Sequence, residues 1–250
     1  MPLTVKKDNM GTSQSHNLKS GPNWSTAKRS ITSLAKGTGD SNDNCETFVI
    51  GLSSAISNSV YRGASSRHSS FGRAGARVSK NFISIIGDIR SHGVLGILGP
   101  DFSFENDSLF KRSFKEVILE RVLGEHDSSM DDAAAAKAFE KILDEILKDC
   151  ETKEEIEKKL SNASNDDLVV WIIDLQIDYI IEYSGELFQS HIFDKCDNPD
   201  RVMEQIRNWL HSELDDRLMN DISKYDLTSK EGKEMVETLT ADILDIWKQE

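Results

Sequence analysis

Apolar residues recur along most of this chain at intervals of three and four, the spacing of one face of an α-helix. Phe48, Val49, Leu52, Ala55, Ile56 and Val60 form the first clear stripe, with Asp43 or Asn44 placed to cap it. A second stripe, Val78, Phe82, Ile85, Ile86 and Ile89, runs into Gly93-Val94-Leu95-Gly96-Ile97-Leu98-Gly99-Pro100, which predicts a break and an apolar turn. Leu109 to Leu123 carries Phe110, Phe114, Val117 and Ile118, and Gly124 stands where a helix C-cap glycine belongs. Asp131 to Cys150 predicts another helix through Phe139, Ile142, Leu143, Ile146 and Leu147.

Thr152-x-x-Glu155 and Thr228-x-x-Glu231 have the form of capping boxes, in which two side chains satisfy each other's orphaned N–H groups. Asn165 is placed to cap a long helix towards Phe193 whose apolar residues cover more than one face, as expected for the centre of a bundle. Asn198-Pro199 opens a further helix, since proline suits the first turn, with Val202, Ile206, Trp209, Leu210 and Leu214 inward. A last helix carries Met235, Leu239, Ile243, Leu244 and Trp247. Strand-like alternation is scarce, and the predicted fold class is all-α.

Residues 1–42 break the pattern. They are rich in Ser, Thr, Gly, Asn and Lys, and ordering them costs about 1–2 kcal/mol per residue that so little burial cannot return. A flexible N-terminal tail is expected there, then a basic Gly/Arg-rich helical segment over 43–105 and an acidic helical bundle over 106–250. Trp24, isolated in the polar tail, reads as a docking anchor for a partner or for the chain's own body.

Charge sharpens this division. Residues 1–105 hold 12 Lys+Arg against 7 Asp+Glu, and residues 106–250 hold 18 against 36, within a net charge of -13. The basic part is expected to complement the acidic part or a partner, with nucleic acid behind. The three cysteines are far apart and in no CxxC pattern, which fits a reducing compartment and argues against a disulfide framework or a zinc site. No secretory h-region is visible, and the most apolar stretch, Leu168 to Ile181, contains Asp174 and Asp178. A membrane span is therefore not expected, and the cytoplasm is the expected location.

Catalytic signatures are missing. Asp131-Asp132, Asp166-Asp167, Asp215-Asp216 and Glu154-Glu155 read as solvated carboxylates, several at helix N-termini that favour negative charge. Asp174 and Asp178 are expected to line a narrow polar stripe with Glu182; a salt bridge to Arg207 or Lys195 ranks second, and a metal site a distant third. His191 and His211 read as structural or surface residues, and the glycine run from Gly93 lacks the GK[ST] ending of a phosphate loop. No metal, cofactor or enzymatic activity is expected. The basic series Arg62, Arg67, Arg73 and Arg77, with Lys80 and Arg90, instead suits docking, because a guanidinium forks onto carboxylates or phosphates. Protein or self docking is preferred, and a helical nucleic-acid-binding protein is the alternative.

Met10-Gly11-Thr12-Ser13-Gln14-Ser15 has the form of a protein start, and removal of Met10 would leave Gly11 as a compact free amine. The same residues fit the M-G-x-x-x-[ST] pattern for myristoylation. Together with Gly21-Pro22, Trp24, the Gly/Arg/Ala-rich region at 62–77 and a helical body, this start resembles the QatB family, the non-enzymatic components of the bacterial Qat anti-phage defence system. The resemblance is specific over the first 15 residues after Met10 and looser through Gly99; the nine residues ahead of Met10 depart from the family pattern. It implies work alongside an ATPase, a QueC-like enzyme and a TatD-like DNase. It further implies that Gly11 is the amine acceptor for the QueC-like partner, with Thr12 and Ser13 recognised as small neighbours.

Overall fold

The computed structural model describes residues 22–61, 72–99, 107–124 and 129–241. Every regular element among them is helical, as the periodicity predicts. In chain order the helices are α1 (Pro22–Lys36), α2 (Ser41–Tyr61), α3 (Arg73–Leu98), α4 (Asp107–Leu123), α5 (Met130–Leu147), α6 (Lys153–Ser161), α7 (Asn165–Tyr183), the single turn α8 (Gly185–Phe188), α9 (Pro199–Ile222) and α10 (Lys230–Ala241). A π-helical turn, Gln189–Phe193, follows α8. No helix among the described residues is long and apolar enough to cross a membrane.

Two helices organise the packing. α7 is buried nearly all round, from Leu168 to Ile181, and lies against α3, α5 and α9. α3 touches α4, α5, α6, α7 and α10. Phe82 of α3 is the hinge of this contact, with its ring 5.2 Å from Phe139 of α5 and 6.1 Å from Trp171 of α7. One apolar core runs from Ala27 to Val236, so the basic segment and the acidic bundle share an interior.

Residues 22–42, expected as flexible tail, are instead helix and turn. Ala27, Ile31 and Leu34 recur on one face of α1 and are buried against α2, which recovers the ordering cost that polarity alone seemed to forbid. The turn after α1 closes with Gly37 N–H on Leu34 O and Thr38 N–H on Ser33 O, a Schellman arrangement. Asp40 then accepts the N–H groups of Asn42 and Asp43, so α2 begins earlier than Asp43 or Asn44. α1 is also held from its other side. Thr32 Oγ1 donates to the Lys28 carbonyl, leaving it to accept from His191 Nδ1 at 3.2 Å, and the Cys196 thiol lies 3.3 Å from the Ala35 carbonyl.

Several other boundaries move for local reasons. The glycine run does not end α3: the helix kinks at Gly93 (φ 71°), which only glycine adopts freely, and resumes because Val94, Ile97 and Leu98 are buried. α7 stops at Tyr183 rather than near Phe193. Its cap is Ser164, in a capping box with Asp167, while the Asn165 amide bridges Tyr225 O and Leu227 N. At α10 the cap oxygen comes from Ser229, which accepts from Gly232 N–H, and Thr228 bonds Asp226 instead of Glu231. The expected cap at Thr152, the Gly124 closure and the Pro199 start are all observed.

Candidate functional site

Gly72 opens α3, and buried polar groups gather around it: the Asp131 and Asp132 carboxylates and the Tyr179 hydroxyl. Gly72 is the N-cap of α3 and has no side-chain oxygen to offer the helix's orphaned N–H groups. The cap is supplied from elsewhere in the chain. Asp131, in the first turn of α5, accepts the Ala74 N–H at 3.0 Å through Oδ2. Tyr179 of α7 accepts the Gly72 N–H at 2.8 Å and donates its hydroxyl to Asp131 Oδ1. The carboxylate thus faces the N-termini of two helices, where the backbone dipoles favour negative charge.

Electrostatics here are a contest between burial and donors. Burial pushes the Asp131 carboxyl above its ordinary range, against the Tyr179 hydroxyl and the Ala74 amide, which pull it down. Tyr179 is pushed well above the usual phenol range, first by burial and then by the Asp131 charge. Beside them Asp132 pairs with Arg77 at 2.6 Å and exchanges hydrogen bonds with Ser129, the N-cap of α5. Gly75 completes the cluster sterically: a Cβ there would lie 2.8 Å from Tyr179 Cε1.

The residues singled out from the sequence have different fates. Gly11, Thr12, Ser13, Arg62 and Arg67 lie outside the described residues, as does the side chain of Trp24; its backbone belongs to α1. Arg73 is exposed at the first position of α3. Arg77 turns inward onto Asp132, with its Nε buried and without a partner among the described residues. Lys80 pairs with Glu237, and Arg90 donates to the Ala163 carbonyl. The later part of the basic series therefore engages this chain's own acidic body.

For Asp178 the second-ranked expectation, a salt bridge to Arg207, is the one observed. The residue is buried rather than part of a polar stripe, and it pairs with Arg207 of α9. Buried among apolar neighbours, a carboxylate needs such a partner, and α9 supplies it. Glu182 is bound by Lys141 and lies 3.9 Å from Lys137 of α5. Asp174 is pushed up by burial, opposed by His211 and Arg207 nearby. Among the described residues no group of three or more His, Cys, Asp and Glu side chains is placed to hold a metal ion.

Sequence reasoning passed over Asp131, Asp132 and Tyr179. The adjacent acids read as solvated carboxylates at a helix start, yet both are buried against α3, and nothing in the chain order brings α5 beside Gly72. The one available signal was a tyrosine hydroxyl in the middle of an otherwise apolar helix, because a buried hydroxyl needs a partner. No protein-family model, curated protein or solved structure matches the chain.

Proposed function

We propose that this protein is a non-enzymatic docking subunit of an anti-phage defence complex, cytoplasmic, whose N-terminal segment is modified by a QueC-like partner enzyme. Gly11 is the acceptor amine, Thr12 and Ser13 are its recognised neighbours, and translation from Met10 exposes it. The partners are the ATPase, the QueC-like enzyme and the TatD-like DNase that the QatB resemblance implies.

The observation that carries this reading is the position of α1. The helix starts at Pro22, with ten residues between it and Gly11, and is packed into the core through Ala27, Ile31 and Leu34. A motif ten residues from a fixed helix suits a substrate that is presented by a scaffold. Arg77, Lys80 and Arg90 are engaged by groups of this chain, which weakens the nucleic-acid reading for those three cations.

Intact-mass measurement tests the proposal. The protein is expressed from Met10 with and without the QueC-like enzyme, and a mass increase confined to the peptide beginning at Gly11 is expected only with it. An unmodified N-terminus in both samples, with a verified Gly11 start, would rule the reading out.

A further inference from the structure

The α1–α2 turn and α9 border a groove whose two ends differ in character. The larger end, about 620 Å³, holds Trp209, the carboxamides of Asn42, Gln205 and Asn208, and the carboxylates of Glu46 and Glu213. The smaller, about 330 Å³, follows the turn after α1 and holds Lys36 and Arg201 against one acid, Asp197. Ser41 and Gln205 border both ends, so the two form one groove. α9 builds one wall with Arg201, Gln205, Asn208 and Ser212, spaced four, three and four residues apart and so on one helix face. Arg77, Lys80 and Arg207 are paired with carboxylates of the body. Lys36 and Arg201 form no ion pair among the described residues, and both are exposed at the smaller end of the groove.

We infer that this groove binds a purine nucleoside monophosphate, with the base beside Trp209 and the phosphate between Lys36 and Arg201. Each end supplies the groups such a ligand needs. Half-buried Trp209 packs against the core and also lines the cavity, and an aromatic face there is a stacking platform for a base. Carboxamides carry a donor and an acceptor side by side, the match for a purine edge. The Glu46 carboxylate can accept from ribose hydroxyls, as acidic side chains do in dinucleotide sites. At the other end a guanidinium and an ammonium meet a phosphate through charge-assisted hydrogen bonds. Length agrees as well. Arg201 and Trp209 are eight positions apart on α9, about 12 Å along the axis, the reach of a purine nucleotide from base to phosphate. Asp197 leaves two cations against one acid at the phosphate end, which suits one phosphate rather than three. Every residue named belongs to the folded body. The site is therefore the same whether the chain starts at Met1 or Met10, and it does not depend on modification of Gly11.

Ligand-observed NMR titration of the full chain with AMP, GMP and the matching nucleosides tests the assignment. Binding of AMP or GMP with a Kd below about 1 mM is expected, and the nucleoside should bind more weakly. Arg201→Ala and Lys36→Ala, both at exposed positions, should each weaken the nucleotide by about threefold to fivefold and leave the nucleoside unchanged. Trp209→Leu should weaken nucleotide and nucleoside alike, by about tenfold. Asn208→Ala, an exposed change that spares the core, should act in the same direction and guards against misfolding of Trp209→Leu. No binding of AMP or GMP up to about 1 mM, equal losses for nucleotide and nucleoside on Arg201→Ala, or affinities indifferent to all four variants would each overturn the site. Affinity that rises with the length of an oligonucleotide would overturn the free nucleotide as its occupant.

Discussion

Tyr179 donates its hydroxyl to Asp131 while accepting the Gly72 N–H, so one phenol ties α7 to α5 and to the N-cap of α3. Tyr179→Phe keeps the ring and its packing but leaves a buried carboxylate one donor short and a buried N–H without an acceptor. Each such orphan costs about 1–3 kcal/mol. The expected loss is about 2–4 kcal/mol in urea unfolding, with helical content unchanged. A Tyr179→Phe protein as stable as the wild type would show that the cluster contributes nothing.

Gly75 tests the same junction by volume. A methyl group at this position would overlap Tyr179 Cε1 at 2.8 Å and Cδ1 at 2.9 Å, and the ring is itself fully enclosed. Gly75→Ala ordinarily strengthens a helix, by up to about 1 kcal/mol. Here overpacking of about 1–3 kcal/mol opposes that gain, and net destabilisation is expected. An unfolding midpoint above that of the wild type would contradict the close approach.

Much of the fold was legible because helices declare themselves locally. The stripes through Phe82 in α3, Phe114 in α4 and Phe139 in α5 predict both the elements and the faces they bury. The failures are also local in origin. α1 was hidden because only Ala27, Ile31 and Leu34 mark its apolar face, within a segment whose average composition is polar. The caps at α7 and α10 moved by one residue because Ser164 and Ser229 compete with neighbours of equal capping ability. The cluster at Gly72 was not legible at all. It joins residues 107 positions apart (Gly72 to Tyr179), and such pairing depends on how helices stack rather than on any short motif.

Asp178 and Arg207 should be strongly coupled, because the carboxylate side chain is only 4% exposed. Removing the guanidinium leaves that charge without its partner. Arg207 is itself 41% exposed, which lets water replace part of the interaction. Arg207→Ala is therefore expected to cost about 1–3 kcal/mol, more than the tenths expected for the solvent-exposed Arg112–Glu116 pair. A double-mutant cycle with Asp178→Asn isolates the coupling, and equal values for the two pairs would refute the distinction.

The three thiols should react in a fixed order. Burial pushes the Cys45 thiol up to about 11 and raises that of Cys150, and both side chains are enclosed. Cys196 is half-buried. Thiolate is the reacting form, and at pH 8 a thiol of pKa near 11 is ionised to only about one part in a thousand. Iodoacetamide should label Cys196 first in the native protein, with Cys45 and Cys150 labelled only on unfolding. Peptide mapping reads the order directly, and early labelling of Cys45 would mean that α2 is more open than its packing implies.

The capping carboxylates give the protein a specific acid sensitivity. The Ser164 hydroxyl and N–H hold Asp167 below the ordinary carboxylate range, and the Thr228 hydroxyl and N–H do the same for Asp226. Each group is more acidic folded than unfolded, so the unfolded chain binds more protons in the window between the two values. Stability then rises with pH across that window, is complete above the unfolded value near 3.9, and is lost as pH falls through the folded one. Asp167→Asn cannot titrate. It should be less stable than the wild type at pH 7, and the difference should shrink on acidification until the two unfolding midpoints converge at low pH. Urea titrations at pH 7, 5, 4 and 3 measure this, and a gap of constant size at every pH would show that the Asp167 charge does not support the α7 cap.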